Sequence, residues 1–207
     1  MTQTLDLTAS EEIQLPEPSY KGPVSLEETL LRRRSVREFS DQPLAWAAIS
    51  QLLWAAQGIT DAQGRRTAPS AGARFPLELY LVTADGLYHY EPEEHSLSQI
   101  RDGDLRRAIC AASLDQEFLV EAPATLVFAA VYDRTARRYG SERGSRYVYL
   151  DVGHAAQNVL LQAVALGLGA VPVGAFDDDR LQEVLGLPED HEPLYMVPVG
   201  KARAVAA

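Results

Sequence analysis

Apolar and polar positions alternate with two periods along the chain, and each period predicts a kind of element. Leu26, Leu30 and Leu31 repeat at helical spacing behind Ser25, and Glu28 follows three residues on. That is a capping box, and it predicts a helix over 26–34 with the leucines inward. Trp46, Ile49, Leu52, Leu53 and Ala56 keep the same period, which predicts a second helix opened by Asp41-Gln-Pro43 and stopped at Gly58. Leu77 to Thr83 is β-rich and alternating. Asp85-Gly86 is a hairpin turn, with a returning strand over Leu87 to Tyr90. A short helix over Leu105 to Ala112 and a second helical piece to about Val120 precede a buried strand, Pro123 to Tyr132. The longest helix is expected over Tyr147 to Leu166. It is followed by a strand (Ala170 to Ala175), a helix (Asp178 to Leu185) and a last strand (Pro193 to Val199).

Three stretches break these patterns. Residues 1–23 are polar and marked by Pro16, Pro18 and Pro23, so they read as an extended arm. Gly64 to Gly72 reads as a loop of small and polar residues. Arg134 to Arg146 reads as polar and mobile. Strands interleaved with helices in irregular order give an α+β class: one central mixed β-sheet surrounded by helices, in a single domain over 24–207.

Composition narrows the function. The chain has 207 residues, enough for a full core without metal or disulfide. One cysteine excludes an internal disulfide framework and a cysteine-built zinc site, and no metal site is expected. A formal net charge of -10 argues against a nucleic-acid partner and against an anionic membrane surface. The first residues lack a basic region followed by an apolar one, so no secretory leader is expected and the cytoplasm is the expected location. Val152 to Phe176 has no Asp, Glu, Lys or Arg, but Gly167, Gly169 and Pro172 divide it into a helix and a strand rather than a membrane span.

Four segments carry candidate chemistry. Arg33, Arg34 and Arg37 with Ser35 offer guanidinium forks and a hydroxyl suited to a phosphate. If the helix persists, Arg33 and Arg37 share a face. Pro69-Ser-Ala-Gly-Ala-Arg74 has side chains small enough for its backbone to approach a flat ligand. Pro172, Val173 and Gly174 end a strand, and Gly174 leaves an amide N–H able to face a ligand edge. Lys201 and Arg203 add cations after the last strand. His154 on an apolar helix reads as a structural, hydrogen-bonded histidine, and Cys110 reads as packing.

Together these pieces resemble the FMN-dependent nitroreductase superfamily, and within it most of all the SagB-type dehydrogenases. Arg33-Arg-Ser-Val-Arg-Glu-Phe39, Ala68-Pro-Ser-Ala-Gly-Ala-Arg-Phe-Pro-Leu-Glu-Leu-Tyr80 and Asp151-Val-Gly-His-Ala-Ala-Gln-Asn158 carry the likeness, over about residues 24–203. The resemblance implies an intertwined homodimer with FMN sites lined by both subunits. It implies phosphate binding by Arg33, Arg34, Ser35 and Arg37, completed by Lys201 and Arg203. It places Pro69, Ser70 and Ala71 against the flavin ring from the other subunit, with Pro172, Val173 and Gly174 beside it and the Gly174 amide as donor to flavin N5. Arg74, by its place in the loop, is a candidate cation for the pyrimidine end of the ring.

The activity implied is transfer of hydride through flavin N5, from NADPH or NADH to a small nitro- or quinone-type acceptor. The alternatives are an azoline dehydrogenase, which forms thiazole or oxazole rings, and a flavin-binding module without redox work. Azoline dehydrogenases carry a Lys-Tyr pair before the long helix. Here the pair is Arg138-Tyr139, and arginine is a poor general base, which leaves Tyr139 as the catalytic candidate.

Overall fold

The computed structural model describes residues 12–203. The elements run β1 (Glu12–Gln14), α1 (Leu26–Arg32), α2 (Trp46–Gln57), β2 (Leu77–Thr83), β3 (Gly86–Glu91), β4 (Ser96–Asp102), α3 (Arg106–Ala112) and α4 (Phe118–Glu121). They continue as β5 (Ala124–Ala130), α5 (Tyr132–Tyr139), α6 (Ser141–Ala165), β6 (Gly169–Ala170), α7 (Asp178–Leu185) and β7 (Glu192–Gly200). The strands form one seven-stranded sheet in the order β1-β4-β3-β2-β5-β7-β6. The mixed sheet expected from the sequence is antiparallel at every pairing of these strands. Among the described residues, parallel pairing enters only at the isolated bridge Ser35↔Ala170.

Period-2 alternation on β2 and β5 explains why helices cover both faces. β5 is buried along its whole length and pairs with β2 from Leu77↔Ala130 to Thr83↔Ala124. Leu77, Leu79 and Leu81 with Leu126 and Phe128 meet Leu52, Leu53 and Ala56 of α2 and Val148, Val152, Ala155 and Val159 of α6. Tyr80, Val82, Val127 and Ala129 point the other way, onto Ile109 and Cys110 of α3, Leu119 of α4 and Leu181 and Leu185 of α7. Truncating any one of the fully buried leucines to alanine would cost about 2–5 kcal/mol.

Several expectations are revised by packing. Ser25 does cap α1, its hydroxyl accepting from the Glu28 amide at 3.2 Å. The helix ends at Arg32, however, and its inward residue is Thr29. Leu26, Leu30 and Leu31 are 60%, 54% and 73% exposed, so the leucine face looks outward. α2 begins at Trp46 rather than at Asp41-Gln-Pro43. Gly58 ends it in an extended conformation (φ -62, ψ 145), and a side chain there would collide with the Trp54 ring, which calls for glycine. The polar arm contributes to the core through Leu15, and β1 pairs Ile13 with Leu97 of β4. The late strand is shorter than expected: β6 covers Gly169–Ala170, and beyond it Val173 makes one bridge to Met196.

The stretch expected to be mobile, 134–146, is helical. Gly140 (φ +76, ψ 162) turns the corner between α5 and α6 in a conformation that side chains avoid. Gly144 then lets the two helices close up: a Cβ there would lie 3.1 Å from both N and Cα of Ala136.

Candidate functional site

The arginine segment is not a helix face. Arg33 caps α1 with its amide bonded to the Thr29 carbonyl, and the chain then runs extended, so the i,i+4 face of Arg33 and Arg37 does not form. Arg34 turns back, its guanidinium donating to the Leu31 and Arg33 carbonyls at 3.0 and 2.7 Å. This satisfies the end of the helix. Ser35 bridges to Ala170, and the Val36 amide donates to the Ala170 carbonyl at 3.0 Å. Further on, the Ser40 amide donates to the Lys201 carbonyl, and the Arg203 amide to the Glu38 carbonyl, both at 2.9 Å.

These bonds gather three of the predicted segments at one end of the sheet. The arginine segment lies between the strand carrying Ala170 to Gly174 and the tail carrying Lys201 and Arg203. Gly169 permits the approach, since a Cβ there would sit 2.7 Å from the Val36 side chain. Among the described residues, Arg33, Arg37 and Lys201 have no carboxylate partner, and Arg37 lies 5.8 Å over the Phe118 ring. Arg203 is committed elsewhere, to Glu121 at 2.9 Å and to the Phe39 carbonyl at 3.2 Å. Pro172 is half-buried and Val173 is fixed by reciprocal bonds with Met196. The exposed Gly174 amide makes no hydrogen bond within the described residues. A recess of about 510 Å³ lies aside from this cluster and takes in only Arg203 of the predicted residues.

The Pro69–Arg74 loop is built on α6. Ser70 Oγ accepts from the Phe75 amide at 2.9 Å, closing a 3₁₀ turn over Ala71–Ala73. Ala73 and Phe75 both adopt positive φ, an unusual density of left-handed backbone for residues with side chains. Asp151 of α6 is buried beneath this turn. Burial pushes its carboxyl up, while the Ser70 hydroxyl, the Ala71 amide and His154 pull the other way, and its Oδ2 has no hydrogen-bond partner. On its other side the loop meets α5: a Cβ on Gly72 would lie 2.5 Å from the Tyr139 hydroxyl and 3.4 Å from Arg138 Nε. Tyr139 packs edge-on against Tyr147, ring centroids 4.9 Å apart.

Within one chain the two groups stay apart. No hydrogen bond, ion pair or ring contact among the described residues links Pro69, Ser70 or Ala71 to the arginine segment, Gly174 or Lys201. Both hang on α6, one at Asp151 and the other near Ala163, whose carbonyl receives the Leu168 amide.

Two polar clusters escaped sequence reasoning. Glu78 on β2 is held by His89 at 2.6 Å and by Arg134 of α5, and His89 also reaches Glu91 at 2.8 Å. Burial raises the Glu78 carboxyl, but the His89 hydrogen bond and the Arg134 charge outweigh it and bring it down to about 2. Ser50, His95 and Tyr90 form the second cluster. Alternating Glu78-Tyr80 and His89-Glu91 on paired strands was the one available signal for the first. His154 is exposed and makes no hydrogen bond among the described residues, so the structural role expected for it is not seen. Cys110 is buried in the second core, as expected, and burial pushes its thiol up. Among the described residues no cluster of potential metal ligands forms, and no helix is long and apolar enough to cross a membrane.

The sequence profile of the Nitroreductase family matches residues 30–201. A nitroreductase-type protein of Methanocaldococcus jannaschii is 46% identical over 196 residues, covering 92% of this chain and 96% of that one. The NADPH-flavin oxidoreductase of Vibrio harveyi is 28% identical over 181 residues, 84% of this chain and 64% of its own length. A crystal structure of a nitroreductase-type protein from Ralstonia eutropha superposes with a TM-score of 0.86 at 36% identity, covering 94% of this chain and 90% of that one. Sheet, helices and matched residues agree: the chain is an oxidoreductase-class protein that belongs to the nitroreductase family.

Proposed function

We propose that the chain is an FMN-dependent oxidoreductase that works as a homodimer and passes hydride from NADPH or NADH to a small nitro- or quinone-type acceptor. One observation carries this reading. Arg33, Arg37 and Lys201, which have no carboxylate partner among the described residues of a chain of net charge -10, lie with Ser35 on segments bonded to the strand that leads from Ala170 to the Gly174 amide, itself without a hydrogen bond among those residues. Cations without counter-ions next to a free N–H suit a ligand with a phosphate at one end and a hydrogen-bond acceptor in a flat ring. The NADPH-flavin oxidoreductase among the relatives supports the same chemistry.

FMN, when bound, supplies the hydride-accepting ring nitrogen. Arg33, Ser35, Arg37 and Lys201 would hold its phosphate and ribityl end. Arg34 and Arg203 have their own bonds to the chain and would act mainly through charge. Gly174 would donate to N5, with Pro172 and Val173 beside the ring. Pro69, Ser70 and Ala71 make no contact with this cluster among the described residues of one chain, and they would reach the ring from the second subunit. The outward leucines of α1, together with Tyr149 and Leu150 of α6 (58% and 53% exposed), supply an apolar surface for that subunit. Tyr139, against Gly72, is the hydroxyl placed to move a proton near the ring-facing loop.

A visible spectrum taken anaerobically, before and after NADPH, tests this. A flavin spectrum that bleaches is the expected result. A flavin that stays oxidised with NADPH and with NADH, but bleaches with a peptide azoline, would replace the reading by SagB-type dehydrogenation. A flavin that none of them reduces would leave a binding module.

A further inference from the structure

Four arginines surround a recess of about 440 Å³ between the Pro69–Arg74 loop and α5: Arg74, Arg134, Arg137 and Arg138, with Ala73. Two are compensated. Arg134 is ion-paired with Glu78, and Arg137 lies 3.6 Å from Asp133. Arg74 and Arg138 have no carboxylate partner among the described residues, and Arg138 rests 5.5 Å from the Tyr139 ring centroid. The recess therefore carries net positive charge on a chain whose overall charge is -10. Such an inversion concentrates small anions locally. Planar guanidiniums converging on one hollow match the forked geometry of a carboxylate or phosphate. Its position matters equally. Arg74 follows Ala71 by three residues, and Arg138 precedes Tyr139, its Nε 3.4 Å from where a Cβ on Gly72 would lie.

We infer that this recess receives an oxyanion, a carboxylate or a phosphate, carried by a molecule that exchanges hydride at the adjoining site. The inference rests on the flavin reading above and adds the substrate's charge to it. Arg74 and Arg138 supply the uncommitted forks, and Arg134, fixed by Glu78, sets the wall of the recess. The exposed Arg137 adds charge at the mouth. Arg74 thereby serves the substrate rather than the pyrimidine end of the ring.

The test compares 4-nitrobenzoate with neutral 4-nitrobenzamide as acceptors for the flavin-loaded protein, and NADPH with NADH as donors. Each pair is run on the unaltered chain, on Arg74→Ala/Arg138→Ala, and on Arg74→Lys. Loss of charge-assisted forks should lower the benzoate-to-benzamide ratio of kcat/KM about tenfold or more in the double variant, with Arg74→Lys restoring part of it. A fall in the NADPH-to-NADH ratio instead would also support the recess and identify the donor's phosphate as its oxyanion. If neither ratio moves, the inference is overturned while the flavin reading stands. Calorimetric titration of 4-nitrobenzoate provides a readout that needs no turnover. Anion binding lost in the double variant of a chain that takes up no flavin would keep the recess and remove the flavin reading. Binding unchanged by the double substitution would overturn the inference directly.

Discussion

Ser50 Oγ lies 2.8 Å from His95 Nε2, and the other ring nitrogen of His95 lies 2.9 Å from the Tyr90 hydroxyl. The pairing has the outline of an activated nucleophile. Yet Ser50 is 1% exposed and donates its hydrogen to the Pro16 carbonyl, so the trio ties the N-terminal arm to α2 and to the β3–β4 hairpin. Ser50→Ala removes the donor to the Pro16 carbonyl and the acceptor for His95 Nε2–H, while His95 keeps its own 3.1 Å contact to Pro16, and should destabilise the fold by about 0.5–1.5 kcal/mol. Urea unfolding measures this. A fluorophosphonate probe should leave Ser50 unlabelled, and stoichiometric labelling would refute the structural role.

Arg33→Ala combined with Arg37→Ala should weaken FMN binding by about a hundredfold or more, since on the proposed site each would remove a charge-assisted contact. The dimer should survive, because neither side chain belongs to the leucine face. Flavin absorbance of the purified protein, read beside light scattering, separates the two effects. Full flavin occupancy in the double variant would show the phosphate site to be elsewhere.

Leu31→Asp combined with Leu150→Asp should do the reverse in the first instance. Charges on the exposed apolar face should weaken the dimer at least tenfold, and flavin should be lost in step if, as proposed, the ring-facing loop comes from the second subunit. Light scattering across a dilution series gives the answer. A monomer that keeps its flavin would place the whole site within one chain.

The Glu78–His89 pair makes stability depend on pH from both sides. Burial favours neutral Glu78, but His89 and Arg134 hold its carboxyl down at about 2. Its contribution is therefore complete above the ordinary value of 4.5 and disappears as pH falls toward 2. Burial likewise opposes charge on His89, but Glu78 and Glu91 raise its proton affinity. Its contribution is complete below 6.5 and is lost as pH rises through the raised value. Between about 4.5 and 6.5 both contributions are present. Glu78→Gln should flatten the decline on the alkaline side, measured as the urea midpoint from pH 5 to pH 9. An unchanged slope would dissociate His89 from that decline.

What the sequence disclosed follows from how strongly each element is patterned. β2 and α7 begin and end where the pattern placed them, since their apolar positions are buried at the matching period. β4 was missed because Ser96-Leu-Ser-Gln-Ile-Arg-Asp102 has only two apolar residues, and Ile100 is 54% exposed. α5 was missed because it is nearly all polar: Thr135 is its buried residue, and its arginines face the recess. Candidate residues could be recognised by type but not by conformation. The arginine run bears its cations on extended chain, pinned by Ala170 and Lys201, which lie more than 130 residues away in sequence. Arg74 and Arg138 stand 64 positions apart, and no spacing rule would have joined them.

β1 adds three residues to the outer side of β4, and those three residues make the terminal pairing of the sheet on that side. Without them, β4 would offer a row of unpaired amides and carbonyls to any passing strand, including the same strand of another molecule. The N-terminal segment thus has a protective task independent of catalysis: it keeps a seven-stranded sheet from becoming the template for an open-ended aggregate.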